Sequence, residues 1–147
     1  MWSAIASILL GISGWLLASF FGKPWLDFMS LRSQVHEETI FTANVGGLAD
    51  ADDLREAALS LRRLVAKMGA TSVAAPRVLR RYLSLRGYDL DKAKGGLAGL
   101  SNSLASSDGG RALHLNRVQV GLRLPRDFDD LQLRTISERI SSASSHE

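Results

Sequence analysis

Residues 2–21 read WSAIASILLGISGWLLASFF, twenty positions without a charged side chain. Wound as a helix at about 1.5 Å per residue, this run covers roughly 30 Å, the thickness of a bilayer's hydrocarbon core. Twenty uncharged residues are long for a buried core helix. A cleaved secretory signal is not expected either: only Trp2 and Ser3 follow Met1, with no Lys or Arg. Leu17 precedes Ser19 by two places and Phe20 precedes Gly22, so no small-x-small cleavage site is formed. The reading is a retained transmembrane helix over 1–22, with Trp2 at one end and Lys23 and Trp25 at the other as interfacial anchors. Lys23 and Arg32 follow the span and no basic residue precedes it, which favours a cytoplasmic C-terminal side.

Within this run Ala4, Ser7, Gly11, Gly14 and Ala18 recur at alternating spacings of three and four, so a helix places them on one stripe. Small side chains on a stripe let two helix backbones approach closely in lipid, where no hydrophobic drive assists association. These five residues are the candidate intramembrane docking face, for a second copy or for another membrane subunit. The same phase continues through Phe21, Trp25 and Phe28.

The rest of the chain reads as helical. Gly22-Lys23-Pro24 predicts a boundary or kink, followed over 23–45 by a juxtamembrane amphipathic helix (Trp25, Phe28, Leu31, Val35, Thr39) that Gly46-Gly47 ends. The segment 46–125 predicts a helical module. Asp50 and Asp53 suit the N-terminus of a helix with the stripe Leu54, Ala58, Leu61, Val65, Met68, and Gly69 is its expected stop. Pro76 opens a shorter helix with Val78, Leu79, Tyr82 and Leu83 as inner face, closed at Gly87. Asp89 or Asp91 caps a further helix bearing Leu90, Ala93, Leu97, Leu100 and Leu104. Gly95, Gly99 and Ser103 share a neighbouring stripe, and mid-helix glycines at 95 and 96 imply close packing on another helix. Asp108-Gly109-Gly110 reads as a turn. The segment ending at Leu124-Pro125 alternates like a strand (Val118, Val120, Leu122, Leu124) and also fits a helix; without a partner strand, helix is the expectation. Beyond Pro125, residues 126–147 read as a weakly ordered tail with one short helix near Leu131 to Ile140. The fold class is therefore all-α: one N-terminal span and a small cytoplasmic bundle of four to five helices.

The chain holds no cysteine, which removes disulfides, thiolate zinc sites and thiol nucleophiles. No Asn-x-Ser/Thr sequon is present. The formal charge of +3 hides an asymmetry. Residues 23–56 carry three basic and seven acidic side chains, whereas residues 57–94 carry nine basic against Asp89 and Asp91. Within that basic block Arg77, Arg80 and Arg81 share a face of one helix, with Arg62, Arg63 and Lys67 on the preceding one. A solvated outer face is the first expectation for them, anionic lipid headgroups or an acidic partner the second, and nucleic acid the last, since only Tyr82 and Tyr88 supply aromatics.

No catalytic, metal or cofactor site is expected. His36 beside Glu37 and Glu38 lacks a second histidine at ligand spacing. His114 has no carboxylate beside it in sequence, and His146 lies in the tail. Gly95-Gly96-Leu97-Ala98-Gly99 lacks the order of a phosphate loop, and no Gly-x-Ser-x-Gly elbow occurs. The composition thus predicts a non-catalytic, bacterial-type inner-membrane protein: an anchor, accessory subunit or scaffold. A self-assembling effector that perturbs the membrane is the competing class, and a tethered lipid-headgroup or nucleic-acid binding module the third.

Overall fold

The computed structural model describes residues 2–44, 50–104, 110–127 and 129–144, and among these every regular element is helical. Gly46-Gly47 and the Asp108-Gly109 turn, like His146, lie outside the described residues. Helix α1 (Trp2–Leu17), a π turn (Ala18–Gly22) and α2 (Lys23–Asn44) follow one another without a break. The boundary expected at Gly22-Lys23-Pro24 is therefore a widened turn, not an end. Pro24 is its cause: the ring has no N–H and would clash with the carbonyl four residues back in an α-helix. The chain opens to π geometry just before it, and the Lys23 N–H reaches back to the Ala18 carbonyl.

Helix α2 buries Phe28, Leu31 and Val35, then Thr39 and Thr42, along one face. The two threonine hydroxyls donate to carbonyls of their own helix, Thr39 to His36 at 2.8 Å and Thr42 to Glu38 at 2.6 Å, so burial leaves neither unsatisfied. This helix is thus a wall of the module.

Helix α3 (Ala51–Ala74) begins at Asp50, whose carboxylate accepts from the Ala51 N–H at 2.9 Å. It buries Ala57, Leu61, Leu64 and Met68, with Ala58 and Val65 half-buried beside them. It does not stop at Gly69. A lone glycine costs about 1 kcal/mol in a helix interior, too little to end one that packs well. Pro76 ends it instead, by forcing Ala75 out of the helical region to φ −63°, ψ 128°. Helix α4 (Arg77–Leu85) buries Leu79 and Leu83, while Val78, expected on the inner face, is 72% exposed. Its end is a Schellman turn: Gly87, at φ +78°, donates to Ser84, and Tyr88 donates to Leu83.

Helix α5 (Leu90–Ser103) starts at Asp89, whose carboxylate accepts from the Lys92 N–H at 2.9 Å. It lies against α6 (Gly110–Leu122), the segment whose apolar pattern also suited a strand. Close packing comes through Gly96, Gly99 and Gly121. A methyl on Gly96 would sit 2.8 Å from the Val118 N, and one on Gly121 would sit 2.6 Å from the Asp89 carbonyl. The His114 ring fills the space above Gly99. Gly95, by contrast, faces open space, so of the expected stripe Gly99 and Ser103 face inward and Gly95 does not, its place being taken by Gly96. Past Pro125 the expected short helix is a longer one, α7 (Asp130–Ser144). It opens with a capping box: the Gln132 N–H donates to the Asp129 carboxylate at 2.7 Å, and the Asp129 N–H donates to the Gln132 side chain at 3.1 Å.

Candidate functional site: the end of the module beside the apolar helix

The rod of α1, π turn and α2 is long and apolar enough to cross a membrane, and none of its most apolar window is buried within the protein. Ile8, Leu10, Trp15 and Leu17 stand exposed all round the helix. Apolar surface of this extent and continuity has a high free energy in water. Ser7, Gly11, Gly14 and Ala18 are exposed too, and a methyl added to Gly11 or Gly14 would meet nothing within 4 Å. Ala4 lies in the same helix. Ser7, Gly11, Gly14 and Ala18 are therefore presented outward and have no role in the packing of the module.

Where α1 gives way to α2, aromatic rings tie the rod to the module. Phe21 and Trp25 stack with their centroids 6.5 Å apart and planes within 5°. The Tyr82 ring of α4 meets both edge-on, at 5.4 Å from Phe21 and 5.5 Å from Trp25. One turn further along α2, Phe28 meets Trp25 at 6.0 Å and Tyr88 at 5.1 Å. These tilted and edge-to-face arrangements set positive ring edges against negative faces. Trp25, expected as an interfacial anchor, is half-buried in this cluster. Lys23 beside it remains exposed.

The rest of α2 fixes which end of the module lies here. Lys67 of α3 donates to the Gln34 side-chain carbonyl at 3.1 Å, while Asp53 and Ala57, nearer the start of α3, share a groove with Phe41. Helix α3 therefore runs back along α2 toward the apolar rod. Its far end, the Pro76 turn and α4 arrive beside Phe21 and Trp25.

The basic block of the sequence is divided among three surroundings. Arg63 and Lys67 line a groove with Glu37 and Glu38 of α2. Arg80 lines another with Asp89 and Asp91. Arg77 and Arg81 point to neither and are exposed. The three arginines expected to act together are thus two and one. Sequence spacing within α4 could have shown the split, since Arg80 and Tyr82 fall on nearly opposite sides of the helix.

Arg32, counted from the sequence only toward orientation, has a structural role that its position in the chain did not show. Arg32 joins α2 to α6 by donating to carbonyls at the end of α6. No family model, curated protein or solved structure matches the chain.

Proposed function

We propose that this protein is a single-pass membrane protein whose α1 crosses the bilayer and whose α2–α7 form a module held against it. In this reading the protein is non-catalytic: an anchor, accessory subunit or scaffold that docks through Ala4, Ser7, Gly11, Gly14 and Ala18 to a second transmembrane helix. The observation that carries it is the division of labour along one unbroken rod. Its first half exposes apolar side chains in every direction, and its second half contributes Phe28, Leu31 and Val35 to the core. A helix that leaves one half dry on no protein surface needs another apolar medium for that half.

A cytoplasmic module in an inner (plasma) membrane is the orientation we favour. Lys23 is exposed at the end of the span, and folding adds Arg77 and Arg81 at the same level. The test is alkaline carbonate extraction of membranes containing the full chain, followed by mild-detergent purification. Retention in the membrane and co-purification with a partner, or self-association, support the reading. Release of the intact chain by carbonate rejects the span, and a monodisperse monomer without partners in mild detergent rejects the docking role.

A further inference from the structure

We propose that α4 is an interfacial helix, resting on the same anionic bilayer that holds α1, with Val78 and Leu85 in the boundary between headgroups and acyl chains and Arg77 and Arg81 on headgroup phosphates. The inference rests on α1 crossing the membrane, and adds a second, independent contact between the module and the lipid.

Depth is set by Tyr82. Its ring lies against Phe21, the last residue of the apolar run, and against Trp25 one turn on. Helix α4 is thereby held at the level where the span leaves the hydrocarbon. Counting about 100° per residue, Val78 and Leu85 fall within roughly 60° of Tyr82 on the helix circumference, on the side turned toward the span. They are 72% and 79% exposed in a helix whose other apolar side chains, Leu79 and Leu83, are fully buried. Apolar side chains laid bare on neighbouring turns beside an apolar span are continuous with the surface that the bilayer already covers.

Charge agrees with the same occupant. Arg77 and Arg81 follow Val78 and Leu85 around the helix, and α4 holds no acidic residue. A helix with apolar side chains flanked by arginine is suited to a negatively charged leaflet, whose potential decays within a Debye length. Arginine adds a forked donor that matches phosphate oxygens. Arg80 faces the groove of Asp89 and Asp91 and takes no part.

The chain's lack of cysteine makes the test direct. The full-length variants Leu10→Cys, Arg55→Cys, Val78→Cys and Leu85→Cys are labelled singly with an environment-sensitive fluorophore. Each is reconstituted into vesicles of phosphatidylcholine with phosphatidylglycerol, and into pure phosphatidylcholine, with nitroxide-bearing lipid as quencher. Labels at 78 and 85 are expected to be quenched several-fold more than the label at 55, near the opposite end of α3. Arg77→Gln with Arg81→Gln should lower that quenching in the anionic vesicles with helicity unchanged. Quenching at 10 with labels at 78 and 85 as wet as that at 55 overturns the interfacial helix and leaves the span standing. No quenching at 10 overturns both. Equal quenching in both lipids, unaffected by the arginine changes, overturns the headgroup role of Arg77 and Arg81.

Discussion

Arg32 holds the end of α6 at Leu122: its Nε donates to the Leu122 carbonyl at 2.9 Å, and its Nη2 to the adjacent Arg123 carbonyl at 2.8 Å. The last carbonyls of a helix lack partners within it and carry partial negative charge, so a cation there is doubly favourable. Arg123 repeats the device: its Nη1 donates to the Arg86 carbonyl at 2.7 Å, just past α4. It does so from a left-handed backbone, φ 51°, that closes α6 through bonds from Arg123 to Val120 and from Leu124 to Gln119. Two arginines thus clasp α2, α6 and α4 at one level.

Arg32→Ala should destabilise the module. A hydrogen bond to a charged group contributes about 1.5–3 kcal/mol, and partial exposure here favours the lower figure. Arg32→Lys should recover only part, because an ammonium does not present a fixed fork to two carbonyls. Thermal unfolding of the detergent-solubilised chain, followed by circular dichroism, checks the order wild type, Lys, Ala. Equal midpoints for all three would remove the clasp.

Neighbouring glycines should respond with opposite sign. Gly96→Ala and Gly121→Ala drive a methyl into backbone atoms of the facing element and should cost about 1–3 kcal/mol. Gly95→Ala meets open space and should stabilise by up to about 1 kcal/mol through helix propensity. Denaturant midpoints of the three variants decide this; stabilisation by Gly96→Ala would contradict the close approach of α5 and α6.

In α1, Gly11→Leu and Gly14→Leu should abolish the proposed helix docking and leave the module intact. Neither added side chain meets anything within the protein, at least at its first carbon. Cross-linking in membranes reads the outcome, and unchanged cross-linking after both substitutions rejects the stripe.

At the other end of the chain, Asp129→Ala should fray the start of α7 at a cost of about 1 kcal/mol. Faster hydrogen exchange at residues 130–133, with α5 and α6 unaffected, is the expected signature. Unchanged exchange there would show that packing of the buried Leu133, and not the capping box, holds the first turn.

Local signals carried most of the fold into view. The Asp50 and Asp89 caps, the Gly87 stop and the stripe through Ala93, Leu97 and Leu100 are written in adjacent turns, and each appears where spacing places it. What escaped depends on distant partners. Gly69 looked terminal because a glycine states a propensity, whereas Pro76 imposes a steric limit. Gly95 and Gly96 are indistinguishable until α6 lies beside one of them. The bond between Arg32 and Leu122 joins residues 90 apart, and the same is true in kind of Tyr82 meeting Phe21. That last contact is what brings a helix from mid-chain to the level where the apolar run ends, and no count of charges near the N-terminus could include its arginines.

The widened turn at Ala18–Gly22 has a mechanical corollary. Because the Lys23 N–H reaches Ala18, this turn winds in one more residue than its neighbours do. Each residue advances an α-helix by about 100°, so the extra residue offsets the azimuth of the aromatic wall from that of the glycine-bearing side by about that much relative to an unbroken α-helix. Closing the turn to α winding with every residue kept would swing one surface against the other by roughly that angle, whereas excising Ser19 or Phe20 would restore α winding with both bearings nearly unchanged. The turn thereby fixes the compass bearing of Gly11 and Gly14 relative to Tyr82.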